Sequence, residues 1–215
     1  MIDLVKRIKE IVKSKFENAE GSHDWNHIER VHRIATYLHS KEGGNLLVIE
    51  LSALLHDISD HKYNGGDWNA GSQESKRILL NLGADEILAN EVSLVVSHIS
   101  YKGAGIDDKS ISLEAKIVQD ADRLDAIGAI GIARAFAYGG SKNRPLYQQN
   151  MKPEFHQTAE EYLNSKSHTI NHFYEKLLLL KDRMKTKTAC DLALQRHRFM
   201  EKFLDQFYSE WNFNS

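Results

Sequence analysis

The sequence predicts an all-α protein, and three observations carry this prediction. Only two prolines, Pro145 and Pro153, occur in the 215 residues, so few positions interrupt a helix. Alternating runs rich in Val, Ile and Thr, which are typical of strands, are nearly absent. Apolar residues instead recur at intervals of three and four almost everywhere along the chain, which is the spacing of a helix face.

Helical spacing predicts helices in the first half of the chain at 3–19, 24–40, 45–57, 69–82 and 85–99. Ser22 or Asp24 supplies the side-chain oxygen that caps the second of these helices, and Gly43-Gly44 ends it. The third helix is apolar on every face, which predicts that it is buried. The fifth helix is expected to end at His98.

The second half of the chain is expected to continue with helices at 112–125 and 126–138, and with two or three more in 156–211. Residues 139–153 are interpreted as a loop and as the best candidate for a domain boundary. We nevertheless expect one domain, because apolar helices on both sides of this loop need common burial. Cys190 falls in a helical pattern and is interpreted as a small core residue.

The composition is that of an ordinary soluble globular protein, with 41% hydrophobic and 27% charged residues. A net charge of −2 creates no basic field for a nucleic-acid polymer or an anionic membrane. No apolar run approaches the ~20 residues that span a bilayer, and the N-terminus lacks the apolar core of a signal peptide. The single cysteine excludes an intrachain disulfide. A cytoplasmic protein is therefore expected.

His56 and Asp57 stand at the end of the apolar third helix, where burial is expected. A buried carboxylate needs a partner, because an unpaired buried charge is costly. A divalent metal ion would satisfy both residues; a salt bridge or a helix N-terminus is the alternative. His27 and Asp122, on the inner faces of two other helices, complete a mixed set of nitrogen and oxygen donors. Such a set suits Mn²⁺, Fe²⁺, Ni²⁺ or Mg²⁺ with open water positions better than a closed structural zinc site.

In sequence order these residues resemble the H…HD…D pattern of the HD-domain metal-dependent phosphohydrolases. The HD dipeptide alone is a weak signal, whereas the complete set in this order is a strong one. Longer stretches resemble a bacterial subgroup of the family, and they lie at 22–31, 53–58, 119–129, 139–147 and 172–177. The resemblance thus covers most of the chain, from residue 22 to about 190.

The resemblance implies an all-helical HD fold in one domain, with the HD core at about 22–130 and C-terminal helices at 156–211 packed on it. It also implies one divalent metal ion held by His27, His56, Asp57 and Asp122. The subgroup resembles nucleotide pyrophosphohydrolases, which cut a nucleoside triphosphate into a monophosphate and pyrophosphate with a metal-bound hydroxide as nucleophile. In related single-metal nucleotidases an acidic residue four positions after the motif histidine assists, and Asp60 occupies that position here.

Further polar residues are candidates for phosphate contacts, namely His98, Lys102, Arg123 and Arg144. Arg144 is preferred, because the glycine-rich stretch before it can approach a ligand closely. The alternative for each Lys or Arg is a solvated surface charge. His98 has two alternatives: it could interact with the helix dipole at the end of its helix, or it could be a ligand of a second metal. No consecutive His-His pair is present, which favours one metal. Asp24 and Asp125 are candidates for supporting the metal ligands. The alternative for Asp24 is a helix cap, and the alternative for Asp125 is an ion pair with Arg123.

Two rival functions remain open. The same metal site could act on a nucleoside monophosphate or a cyclic dinucleotide, or the chain could be a nucleotide-sensing module without catalysis. A small-molecule nucleotide is the expected partner in each of these. A homodimer is a further alternative, because the amphipathic termini suit either a core or an interface.

Overall fold

A computed structural model describes residues 2–17, 24–59, 69–99, 112–154 and 167–213. It confirms the all-α fold, since these ranges contain helices and no strand. The α-helices are α1 (Ile2–Phe16), α2 (Trp25–Glu42), α3 (Leu46–Leu55), α4 (Ala70–Asn81), α5 (Glu86–Ser97), α6 (Leu113–Asp125), α7 (Gly128–Ser141), α8 (Thr169–Glu175) and α9 (Lys187–Trp211). A 3₁₀-helix, Leu177–Arg183, lies between α8 and α9. None of these helices is both long and apolar enough to cross a membrane.

The chain divides into two compact units, and the division falls inside α6. The described residues up to Ile99, together with 112–122, form the first unit, and the second begins at Arg123. The boundary is therefore not in 139–153, where the sequence placed its best candidate. The expectation of a single domain with the C-terminal helices packed on the HD core stays a prediction.

In the first unit α3 is the central helix, in contact with α1, α2 and α5, while α4 packs against α5. Seven of the ten residues of α3 are buried, which confirms the prediction made from its apolar sequence. Asn45 begins the helix, because its Oδ1 accepts hydrogen bonds from the backbone N–H groups of Leu47 and Val48 at 3.1 and 3.4 Å. The helix ends at Leu55, two residues earlier than predicted, so the His-Asp dipeptide lies in the turn that follows.

In the second unit α7 contacts α8 and α9, and the 3₁₀-helix contacts the same two helices. Phe173 of α8 is fully buried and stacks on Phe203 of α9, with ring centroids 5.8 Å apart. The helix α7 begins at Gly128, two residues later than predicted, because its φ of 78° is a conformation that glycine adopts readily. It continues to Ser141, so the predicted loop begins later than expected.

Cys190 is exposed, and its interpretation as a core residue was wrong. The inner face of α9 is set by Ala189, Ala193 and His197, which are buried at four-residue intervals. Cys190 follows Ala189 directly, and one residue rotates a side chain by about 100° around a helix. It therefore points away from the buried face.

Replacing Gly131 with alanine is expected to destabilise the protein by about 1–3 kcal/mol, as overpacking does. Gly131 lies in α7, and a Cβ atom there would overlap the backbone oxygen of Ala126, which cannot move aside as a flexible side chain would. Gly140 provides a matched control in the same helix, because a Cβ atom there would meet nothing within 4 Å. Gly140→Ala should be neutral or should stabilise by up to about 1 kcal/mol. Urea unfolding of both variants measures the difference, and equal stabilities would contradict the expectation.

Candidate metal centre

The first turn of α2 presents His27 to the interior of the first unit, with 0% of the residue exposed. Asp24 confirms its predicted role as the cap, since its Oδ1 accepts a hydrogen bond from the backbone N–H of His27 at 2.8 Å. Burial raises the pKa of Asp24, but hydrogen bonds from Asn26 and from the His27 backbone, with the charge of Arg30, outweigh it and lower the pKa. Asp24 thus stays ionised and holds the backbone of His27 in place.

The turn after α3 presents His56 and Asp57. The Nδ1 atom of His56 lies 2.8 Å from the carbonyl oxygen of Ala53, so Nδ1–H donates to that carbonyl. The lone pair of the neutral ring is then on Nε2, which points toward His27. Metal-binding histidines are commonly oriented in this way by a carbonyl oxygen on the other nitrogen.

The four predicted metal ligands come together in the first unit. His27 Nε2 and His56 Nε2 are 3.3 Å apart. Asp57 Oδ2 lies 3.4 Å from each of these nitrogens. Asp122 Oδ1, near the end of α6, lies 3.5 Å from His27 Nε2 and 3.9 Å from His56 Nε2. Residues separated by up to 95 positions in the chain therefore point their donor atoms at one place.

These separations fit a divalent cation. Two donor atoms that are each about 2.1 Å from one ion lie ~3.4 Å apart at a tetrahedral angle and at most ~4.2 Å apart at any angle. The separations found, 3.3 to 3.9 Å, lie within this limit. The imidazoles are buried, whereas the side chains of Asp57 and Asp122 are 15% and 30% exposed. An ion here would therefore have buried nitrogen ligands on one side and access to water on the other.

Asp122 differs from the other three residues in one respect. The donor atoms of His27, His56 and Asp57 all lie within 4.8 Å of one another, and these three could hold a metal ion. Asp122 approaches both imidazoles but does not belong to this compact set. Its role as a fourth ligand stays a prediction.

In the metal-free protein, the carboxylates also determine the protonation state of His56. Burial lowers the pKa of His56, but the charge and hydrogen bond of Asp57, the charge of Asp122 and the Ala53 carbonyl outweigh it and raise the pKa to about 9. At neutral pH a proton therefore occupies the place that a metal cation would take. Proton and metal compete, because a histidine ligand must be unprotonated on the binding nitrogen.

We therefore expect the metal-free and metal-loaded proteins to respond differently to pH. The raised pKa of His56 stabilises the metal-free fold fully below pH 6.5, and this contribution is lost as pH rises through about 9. Mn²⁺ binding should tighten over the same interval, because the competing proton leaves. Thermal melting with EDTA and with Mn²⁺ across the interval measures both effects. The His56→Ala protein should lose this slope in EDTA, and a flat wild-type curve in EDTA would contradict the expectation.

His98 ends α5 as predicted, and its ring turns back on that helix. Its Nδ1 lies 2.8 Å from the Leu94 carbonyl oxygen and 3.0 Å from Ser97 Oγ. Gln119 was not predicted as a functional residue; its Nε2 donates to the His98 carbonyl oxygen at 2.9 Å and so joins the end of α5 to α6. The sequence could have indicated this residue, because Gln119 is a polar side chain on the inner face of α6, one turn before Asp122. The phosphate contact of His98 stays a prediction.

Two residues of the second unit take places that the sequence did not predict. Arg123 is 3% exposed and donates from Nη1 to the carbonyl oxygen of Arg183. The structure thus shows a buried backbone contact for Arg123, and its phosphate contact stays a prediction. Asp125 is also buried, and its Oδ2 accepts a hydrogen bond from Arg134 Nη1 at 2.7 Å. The structure thus shows an ion pair with Arg134, and the support of a metal ligand by Asp125 stays a prediction.

Arg144, Asp60 and Lys102 complete the set of predicted site residues. Arg144 is partly exposed just after α7, and its guanidinium carbon lies 5.6 Å from the ring centroid of Tyr138. Its phosphate contact stays a prediction. Asp60 and Lys102 lie outside the described residues.

Comparisons with known proteins identify the family. Residues 24–127 match the HD domain. The uncharacterised protein YpgQ of Bacillus subtilis is 36% identical over 202 residues, which cover 94% of this chain and 90% of YpgQ. A crystal structure of YpgQ in complex with ADP has a TM-score of 0.73 and 32% identity, covering 96% of this chain and 97% of that chain.

Two other crystal structures agree with this assignment. A protein from Lactobacillus plantarum has a TM-score of 0.87 and 35% identity, covering 98% of this chain and 97% of that chain. An HD-superfamily hydrolase from Bacillus thuringiensis has a TM-score of 0.74 and 41% identity, covering 97% of this chain and 96% of that chain. The chain therefore belongs to the HD-domain family, within the HD superfamily of hydrolases.

Proposed function

We propose that this protein is a metal-dependent phosphohydrolase that converts a nucleoside triphosphate into a nucleoside monophosphate and pyrophosphate. The observation that carries the proposal is the convergence of His27, His56 and Asp57, whose donor atoms lie within 4.8 Å of one another. Two buried imidazoles and a partly exposed carboxylate, with a second carboxylate beside them, have the chemistry of a divalent-metal site with open positions.

A relative supports the choice of a nucleotide as substrate. YpgQ has been crystallised with ADP, and it is 36% identical to this chain. ADP combines a nucleoside with a phosphoanhydride, which are also the parts of the proposed substrate. We take the triphosphate as substrate because longer stretches of this sequence resemble the nucleotide pyrophosphohydrolase subgroup.

His27, His56, Asp57 and Asp122 are the residues that would hold the ion. When bound, the ion would polarise a phosphate oxygen and lower the pKa of water. In the proposed reaction the oxygen of water bonds to the α-phosphorus, the bond from that phosphorus to the α–β bridging oxygen breaks, and pyrophosphate leaves. Asp60 is proposed to take the proton from water, and His98, Lys102 and Arg144 to contact phosphate oxygens.

A nucleotide panel tests the proposal. The protein is stripped with EDTA, reloaded with Mn²⁺, Mg²⁺, Ni²⁺ or anaerobic Fe²⁺, and incubated with deoxynucleoside triphosphates, monophosphates and cyclic dinucleotides. We expect equal amounts of monophosphate and pyrophosphate from triphosphates, with no inorganic phosphate and no reaction in EDTA.

The other outcomes would replace the proposal with a specific alternative. Inorganic phosphate from a monophosphate would indicate a phosphatase, and opening of a cyclic dinucleotide would indicate a phosphodiesterase. Nucleotide binding without turnover under every metal would indicate a sensing module.

A further inference from the structure

The turn that follows α3 carries Asp57 and is fixed by two hydrogen bonds, one to the N–H and one to the carbonyl oxygen of Ile58. The N–H of Ile58 donates to the Leu55 carbonyl oxygen at 3.0 Å. The carbonyl oxygen of Ile58 accepts a hydrogen bond from Lys15 Nζ at 2.6 Å. The first bond fixes the peptide group directly after Asp57, and the second fixes the next one along the chain. Together they leave little freedom for the backbone that carries the Asp57 side chain.

Lys15 reaches this turn from α1, which precedes the residues that match the HD domain, 24–127. The inner face of α1 is anchored by Ile8 and Val12, both fully buried, and α1 packs against α3. The position of the Lys15 backbone is therefore set by packing. A bond of 2.6 Å from an ammonium group to a carbonyl oxygen is short and charge-assisted, which makes it stronger than an ordinary neutral hydrogen bond.

The turn that follows α3 is closely packed by its neighbours. Ile58 is 1% exposed with Lys15 in place, although Lys15 is itself an exposed residue. Gly71 of α4 also lies close to the turn, since an added Cβ atom there would be 3.2 Å from the Ser59 carbonyl oxygen. The turn is thus approached by both α1 and α4.

We propose that Lys15 is a positioning residue of the metal centre, which acts through the Ile58 carbonyl to orient Asp57. This inference rests on the proposed metal-dependent function. It predicts that loss of the Lys15 ammonium loosens Asp57 and weakens metal binding about tenfold, the lower end of the effect of residues that orient metal ligands.

The test compares Lys15→Met with Lys13→Met. Lys13 lies in the same last turn of α1 and is exposed, so it controls for the loss of a positive charge and for any change in α1 itself. Mn²⁺ affinity is measured by calorimetry, and stability is measured by urea unfolding. The values of kcat and KM are measured with a deoxynucleoside triphosphate as substrate. Lys15→Arg is included, because it restores a cationic donor at the same place.

We expect Lys15→Met to bind Mn²⁺ about tenfold more weakly and to lose kcat at subsaturating Mn²⁺, with little change in nucleotide KM. Lys13→Met should match the wild type, and Lys15→Arg should recover part of the affinity. Equal Mn²⁺ affinity in Lys15→Met and Lys13→Met would overturn the inference, even if Lys15→Met were less stable. A wild type that binds Mn²⁺ without hydrolysing nucleotides would defeat the proposed function and leave the affinity test intact. A wild type that binds no divalent ion would defeat both.

Discussion

We expect the replacement of Asp57 with asparagine to weaken divalent-metal binding and hydrolysis together. The substitution keeps the shape of the side chain but removes the charge that lies 3.4 Å from both imidazole nitrogens. The two imidazoles and the new amide are neutral. Asp122 is then the one charged group of the predicted ligand set that remains to balance a divalent cation. Removing a residue that only orients a ligand costs about 10- to 100-fold in metal affinity, so removing a ligand itself should cost at least 100-fold. We expect kcat/KM for a nucleoside triphosphate to fall by at least about 10³, or about 4 kcal/mol of transition-state stabilisation.

Calorimetry with Mn²⁺ and a pyrophosphate-release assay measure the two losses in the same preparation. Asp3→Asn is a suitable control, because Asp3 belongs to the same unit and its side chain is 82% exposed. Unfolding in urea shows whether Asp57→Asn remains folded at the assay temperature. If Asp57→Asn kept a full equivalent of metal and wild-type turnover, the assignment of this centre would be wrong.

Replacing Arg134 with methionine should destabilise the protein by about 3 kcal/mol. Arg134 Nη1 and Asp125 Oδ2 are 2.7 Å apart, and the side chain of Asp125 is only 2% exposed. Removing one partner of such a pair leaves a buried charge without its closest partner, which typically costs about 3–5 kcal/mol. Burial lowers the pKa of Arg196, and the charge of Asp125 partly offsets this effect. Asp125 therefore also interacts with Arg196, so we expect the lower end of this energy range for Arg134→Met.

A double-mutant cycle separates the ion pair from simple packing. Arg134→Met combined with Asp125→Asn removes both charges and should recover at least about 1 kcal/mol relative to Arg134→Met alone. The pair Lys181 and Asp182 provides a surface comparison, because the Asp182 side chain is 73% exposed and its loss should cost at most about 1 kcal/mol. Additive effects of the two substitutions would show that the pair contributes nothing specific.

The parts of the structure that depend on local pattern could be predicted from the sequence. Inner-face spacing placed His27 among buried residues, and the apolar run of α3 predicted a buried helix that delivers His56 and Asp57. The ends of helices were predicted less well, because a single backbone conformation such as the positive φ of Gly128 decides where α7 begins. Such a conformation leaves little trace in the hydrophobic pattern.

Pairings between distant residues could not be predicted. Asp125 follows Arg123 by two residues, and a pair between them was the alternative that the sequence suggested, yet a 2.7 Å partner of Asp125 is Arg134 of the next helix. Lys15 and Ile58 are separated by 43 positions, and a lysine in an amphipathic helix usually indicates only a solvated face. Three-dimensional packing decides which charge meets which carbonyl or carboxylate. The partners of Asp125 and Ile58 therefore follow from the packing of the helices and not from the local sequence pattern.

The outward position of Cys190 makes this protein convenient for fluorescence. It is the single sulfhydryl of the sequence and it is exposed on α9, so a maleimide dye attaches at one known place without any substitution. Two batches carrying a donor and an acceptor dye can be mixed under reducing conditions, which prevent a disulfide between chains. Energy transfer would then arise only from noncovalent assembly and would report whether the protein forms homodimers.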